Sequence, residues 1–208
     1  MSLLTLKEQI QVYAQKAQKQ GLVAGTSGNF SLRAPDGNIL ITPSGLDYGE
    51  MDADDVVVIT LDGTVIEGTR RPSSEWPMHA EIYKNMPHVQ SVVHTHSPYA
   101  TAFAVVNEPI PLVLVEMVYF LLGDVRVAPV AVQGTPQVGL GVVEALQGRG
   151  ACLMQNHGVV SVGNTLPEAF LRAEYTETAA HICLMAKAIG TPVPISEAIV
   201  QEMRERMK

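Results

Sequence analysis

Apolar residues recur at three- and four-residue spacing through Leu3, Leu6, Ile10, Tyr13, Ala14 and Ala17, which predicts an amphipathic helix over residues 3–20, stopped by Gly21. A small-residue loop, "GTSGNFSLR", then enters a strand, and "NILITPSG" predicts a strand ending in a turn. In "DVVVITLDGTVIEG" two apolar runs flank Asp62-Gly63, the signal of a hairpin. "SSEWPMHAEIYKNM" predicts a helix capped by Ser73 or Ser74, with Pro77 in the first turn, where its missing N–H costs nothing.

"VQSVVHTH" is a strand by the same pattern, and Ser97-Pro98 opens a helix behind it. A helix is expected over residues 135–147. "ACLMQNHGVVSVG" predicts two short buried strands hinged near His157-Gly158. Thr165 and Glu168 form a capping-box pattern before a long helix to about Ile189, and a last polar helix follows Ser196. Strands and helices are mixed, with a hairpin and no strict βαβ alternation. This argues for a layered α/β or α+β fold, one domain over residues 1–208.

Composition narrows the function. Apolar residues make up 47% of the chain and charged residues 17%, enough for a sizeable core. Net charge is -7, and the densest basic run is "TRR" at residues 69–71, which speaks against nucleic-acid partners. No apolar stretch has membrane length and "MSLLTLKEQI" lacks a signal-peptide layout, so a cytoplasmic protein with no membrane partner is expected. Cys152 and Cys183 lie far apart in apolar contexts and are expected as buried thiols.

The chemistry concentrates in "SVVHTHSPYA". On a strand, residues i and i+2 share a face, so His94 and His96 project side by side at a strand end and suit one metal ion. His157 in "LMQNHGVV" is the candidate third ligand, with Gly158 leaving room for close approach. Glu75 is the candidate carboxylate. Three histidines with an open position suit a catalytic zinc acting as Lewis acid. His79 sits at helical spacing from Glu75, either as support for the ligands or in a structural role. His88 falls in a loop and His181 inside the long helix. "GTSGN", "TPSG" and "PSSE" each offer hydroxyls and unencumbered backbone N–H groups, a means of holding phosphate without a basic patch.

"GTSGNFSLR", "ILITPSG", "PSSEWPMHAEIY", "VVHTHSPYATAFA" and "LMQNHGVV" occur in an order and spacing that resembles the zinc-dependent class II aldolase/epimerase family, over about residues 5–195. The resemblance implies an α/β/α sandwich around a largely antiparallel sheet, and a homotetramer with active sites at subunit interfaces. It implies His94, His96 and His157 as ligands of one Zn2+ per subunit, with Glu75 as acid/base and as a ligand when no substrate is bound. Gly28, Asn29, Ser44, Gly45, Ser73 and Ser74 fall on positions that hold the substrate phosphate and its adjacent carbonyl.

The implied reaction is that of an aldehyde-lyase. A ketose 1-phosphate of the L-fuculose-1-phosphate type is cleaved through a metal-stabilised enediolate to dihydroxyacetone phosphate and a small aldehyde. Burial beside Trp76 is expected to bring the Glu75 carboxyl near working pH. On the aldehyde side the chain departs from the family. The position of a neighbouring subunit's tyrosine holds Val115, and Glu116 and Tyr119 are the nearby candidates for the acid. Asp124, where the epimerases place an aspartate, is not clearly aligned. Related 4-epimerase, 3-oxo-tetronate phosphate decarboxylase and methylthio-sugar phosphate dehydratase activities are alternatives on the same site. A Schiff-base aldolase would need Lys187, the one lysine with apolar flanks. A non-catalytic module like the adducin head would lack the ligands that this chain keeps.

Overall fold

The computed structural model describes residues 2–206. Its first helix, α1 (Leu3–Lys19), starts at Ser2, whose side chain accepts from the Thr5 N–H at 3.1 Å. The strands β1 (Asn29–Arg33), β2 (Ile39–Ile41), β3 (Val57–Ile59) and β4 (Val65–Glu67) follow, with the expected turn at Asp62-Gly63 between the last two. Next come α2 (Trp76–Asn85), β5 (Ser91–Thr95) and α3 (Pro98–Val105). A π-helix (Met117–Leu121) and a short strand β6 (Arg126–Ala128) precede α4 (Pro136–Ala145). β7 (Ala151–Met154), β8 (Gly158–Gly163), α5 (Leu166–Ile189) and α6 (Glu197–Glu205) complete the chain. At α5 the Thr165 hydroxyl accepts from the Glu168 N–H, as the capping pattern predicts.

One eight-stranded sheet runs β4-β3-β2-β1-β5-β8-β7-β6. Every pairing is antiparallel except β6 with β7. Because side chains alternate across a strand, the sheet feeds two cores. Ile39, Ile41, Val92, Cys152, Val160 and Val162 pack with α2 and α4 on one face. Phe30, Leu32, Val93, Leu153 and Val159 pack with α1, α3 and α5 on the other. This is the α/β/α sandwich, and it explains why the central strands are apolar on both sides. Both cysteines are free and buried. Among the described residues, no helix is long and apolar enough to cross a membrane.

Two local expectations change. The N-cap of α2 is Glu75, not Ser73 or Ser74, with Pro77 in the first turn as predicted. Ser73 instead takes the Glu75 N–H on its hydroxyl at 3.3 Å, which turns the chain one residue before the helix. β6 was not anticipated; three residues ended by Pro129 carry too little periodicity to be read.

The antiparallel register brings the start of β1, the end of β5 and the start of β8 to one end of the sheet. Asn29 pairs with His94, and His94 with Val160. Gly158 sits where a Cβ would lie 2.4 Å from the Thr95 carbonyl and 3.1 Å from the His96 ring. Gly158→Ala therefore costs about 1–3 kcal/mol by overpacking, a fall of roughly 2–12 °C in thermal midpoint for a chain of this size. A midpoint unmoved from the parent's would show that the strand end yields freely.

Candidate metal centre and active site

His94 is the last residue but one of the buried strand β5, His96 stands one residue beyond its end, and His157 sits in the turn between β7 and β8. The left-handed backbone of Asn156 (φ 57°) and a hydrogen bond from the His157 N–H to Met154 O close that turn. The three rings form a nearly equilateral group, with centroids 4.9, 4.8 and 4.9 Å apart. The Nε2 atoms of His94 and His96 are 3.0 Å apart. Glu75, at the head of α2, brings Oε2 to 3.2 Å from His94 Nε2 and Oε1 to 3.4 Å from His157 Nε2.

These contacts test whether a cation fits. His94 donates Nδ1–H to the Val159 carbonyl at 2.8 Å, so the neutral form of its ring presents a bare Nε2 lone pair. That lone pair faces another imidazole nitrogen and a carboxylate oxygen, a meeting of acceptors. Glu75 Oε1 is buried with no hydrogen-bond partner among the described residues. Both features are costly alone and are satisfied together by a positive charge placed between them. The four ligand atoms lie within 4.8 Å of one another. Around a tetrahedral ion with bonds of about 2.0–2.1 Å, ligand atoms stand roughly 3.3 Å apart. The cluster therefore fits a divalent cation, with His94, His96, His157 and Glu75 to hold it.

The electrostatics follow from this crowding. Burial, then the neighbouring His94 and His157, push the His96 ring down to about 4, with Glu75 opposing. His157 is lowered by burial and by His94. Burial works to raise the Glu75 carboxyl. The His94 and His157 rings and the Asn29 amide outweigh it and hold the carboxyl well below the usual range. The expectation of a Glu75 raised toward working pH is thus corrected: its partners, not Trp76, decide the sign, and the carboxylate is already in its basic form.

A cavity of about 100 Å³ opens beside Glu75 and His96, lined by residues 26–29, 43–45 and 73–75, with Gln133. All six residues expected at the phosphate end, Gly28, Asn29, Ser44, Gly45, Ser73 and Ser74, fall on this wall. Gly28 has φ 75°, and a Cβ there would lie 2.7 Å from the His94 carbonyl. The buried Tyr48 hydroxyl donates to Gly28 O at 2.7 Å and braces that turn. The expectation of unencumbered N–H groups holds only in part. The Ser44 N–H is given to Arg71 O and the Ser73 N–H to Thr42 O, because the two turns are bridged at Pro43 and Pro72.

Glu116 and Tyr119 are exposed at the π-helix and do not line this cavity. Asp124 is paired with Arg149, and Lys187 with Glu108 at the surface, away from the centre. His88 is exposed and His181 stacks on Tyr99. Pattern reading missed Tyr48, an isolated tyrosine in a loop, and left the place of His79 open. His79 is fully buried and joins Ser31 to Asn29. Burial first, then His94, pushes it down to about 3 against the pull of Glu75, so it is neutral.

A second cavity, of about 210 Å³, lies against His157 and shares Gln133 with the first. Its walls are mainly apolar, with Ala128, Pro129, Val130, Ala131, Val138 and Met154 among them.

Comparison with known proteins agrees with this geometry. The family model described as class II aldolase and adducin N-terminal domain matches residues 8–184. A 5-deoxy-D-ribulose 1-phosphate aldolase of Bacillus thuringiensis is 37% identical, over 100% of this chain and 98% of that protein. A 5-methylthioribulose-1-phosphate/5-deoxyribulose-1-phosphate aldolase of Rhodospirillum rubrum is 35% identical, over 94% of this chain and 87% of its own. A solved L-fuculose 1-phosphate aldolase superposes with a TM-score of 0.92 at 35% identity, covering 98% of this chain and 96% of that one.

After removal of metal by a chelator, titration with Zn2+ is expected to bind one equivalent per chain. At a hundredfold excess over Kd the gain is about 2.7 kcal/mol, seen as a higher thermal midpoint. His94→Ala removes the central ligand and is expected to abolish that gain. Equal Zn2+ affinity in parent and variant would refute the ligand set.

Proposed function

The chain belongs to the class II aldolase and adducin N-terminal domain family, and from that premise we propose that it is a zinc-dependent, cytoplasmic sugar-phosphate aldolase cleaving a ketose 1-phosphate to dihydroxyacetone phosphate and a small aldehyde. The observation that carries the reading is the meeting of three imidazole nitrogens with an orphaned, ionised Glu75 oxygen at the mouth of a hydroxyl-lined cavity. A divalent cation held there supplies Lewis acidity to the ketose carbonyl, the electron sink that carbon–carbon cleavage needs.

The chain's own residues do the rest. The small-residue turns at Gly28, Ser44-Gly45 and Ser73-Ser74 take the phosphate end, where the exposed hydroxyls of Ser44 and Ser74 are donors. Glu75, anionic and within reach of the centre, moves the proton at the hydroxyl-bearing carbon of dihydroxyacetone phosphate, taking it in condensation and returning it in cleavage. The intact ligand set speaks against a non-catalytic module.

The aldehyde's far end faces the apolar cavity beyond His157. That lining suits a methyl or thioether end better than a hydroxyl, as do the 5-deoxy and 5-methylthio substrates named for the two relatives. Glu116 and Tyr119 are exposed beside Val115, and in this reading they would serve a neighbouring copy in a tetramer rather than their own centre.

With Zn2+ and dihydroxyacetone phosphate, acetaldehyde is expected to exceed glycolaldehyde in kcat/KM by about 10-fold. Glu75→Gln is expected to keep its Zn2+ and slow deuterium exchange into dihydroxyacetone phosphate by about 10²–10⁴-fold. Exchange at the parent's rate would remove Glu75 from the role of base.

A further inference from the structure

Glu75 is not alone as a buried titratable group near the centre. His79, one turn further along α2, belongs to no ligand set and yet lies in an unbroken chain of buried polar groups. The direction of that chain is forced by charge. An ionised carboxylate only accepts hydrogen bonds. The Asn29 amide must therefore meet Glu75 Oε2 with its Nδ2–H, at 2.8 Å. Asn29 Oδ1 is then left facing His79, whose Nε2 has to donate. A neutral imidazole carries one N–H, so His79 Nδ1 accepts, and the Ser31 hydroxyl donates to it at 2.6 Å. Ser31 Oγ in turn accepts from the Tyr83 hydroxyl at 2.8 Å. All donors point one way, from Tyr83 through Ser31, His79 and Asn29 to the carboxylate.

We propose that His79 is a positioning residue for Glu75: its Nε2–H anchors Asn29 Oδ1 and so fixes the amide that donates to Oε2, which leaves Oε1 as the oxygen with no hydrogen-bond partner. The two orientations of a carboxamide have nearly the same shape. Packing does not choose between them; the carboxylate at one end and the His79 N–H at the other select the same one, and His79 is what fixes the amide at its oxygen. Without it Asn29 Oδ1 is left buried with no donor, the amide loses one of its two anchors, and the Oε2 side of Glu75 is no longer held fixed. A histidine that merely filled the core would be replaceable by any side chain of similar volume.

The kinetic part of the test rests on the aldolase reading, and the spectroscopic part does not. In nitrogen-15 spectra of the histidine-labelled, Zn2+-loaded protein, His79 is expected as a neutral ring with its proton on Nε2. His79→Phe is expected to lower kcat for deuterium exchange into dihydroxyacetone phosphate roughly 10–100-fold with little change in KM. His79→Gln, which keeps an N–H near the Nε2 position, is expected to restore most of that loss. A proton on Nδ1, exchange at the parent's rate in His79→Phe, or a Gln variant as slow as the Phe variant would each overturn the proposal. Should His79→Phe fail to fold, the tautomer and the Gln variant decide. If the parent itself exchanges no proton, the aldolase reading fails instead, and the tautomer alone decides the role of His79.

Discussion

Glu75 is only 5% exposed at the head of α2, and it is ionised. A carboxylate so placed must be compensated on each of its oxygens or it destabilises the fold around it. One oxygen is served by Asn29, the end of a chain of donors running back into the core between α2 and β1. That oxygen also faces His94, and the other is left to the imidazole of His157. A single negative charge thus sets the orientation of an amide, a ring and two hydroxyls on one side. On the other it calls for a cation. The same group that demands compensation in the folded state is the one whose basicity the proposed reaction would use.

The sheet makes this arrangement possible without any long connection doing the positioning. Strands β1, β5 and β8 are neighbours and antiparallel, so two of them begin where the third ends. Asn29, His94 and the His157 turn are therefore gathered by register, and a slip of one residue would turn each to the wrong face. Glycine at 158, and at 28 with φ 75°, lets these strand ends approach closer than a side chain allows. The α2 helix lies on the same face as His94 and contributes both Glu75 and His79, four residues apart on one side of the helix.

Much of this was legible in the sequence because it is local. His94 and His96 flank one residue at a strand end, His157 precedes a glycine in a hairpin, and Ser97-Pro98 marks a helix start by steric rules. What was not legible depends on partners distant in the chain. The sign of the Glu75 shift is decided by His94, His157 and Asn29, not by its sequence neighbour Trp76. The place of His79 depends on Ser31 and Asn29, about fifty positions away. The strand β6 exists because β7 offers it a parallel edge. The π-helix at Met117–Leu121 mixes buried Met117, Val118 and Leu121 with exposed Tyr119, a pattern with no clear helical period. Two of the N–H groups expected to be free are occupied for the same reason: the turns that carry Ser44 and Ser73 are bridged to each other.

Among the described residues, the cavity beside Glu75 has no lysine or arginine in its lining, although a sugar phosphate brings about two negative charges at neutral pH. In a chain of net charge -7, compensation has to come from elsewhere. The dipole of α2, which starts beside this cavity at Glu75, supplies part of it; its first N–H groups do not, since Trp76 and Met78 give theirs to Ser73 O and Glu75 O and Pro77 has none. A cation held by the imidazoles would supply the remainder, since Glu75 and His96 line the same cavity. Asn29 adds little, because its carbonyl and one of its two amide N–H bonds are already engaged. Metal and substrate should therefore bind with mutual reinforcement: each lowers the electrostatic cost of the other, and a site stripped of its cation is a poor phosphate receptor as well as a poor catalyst.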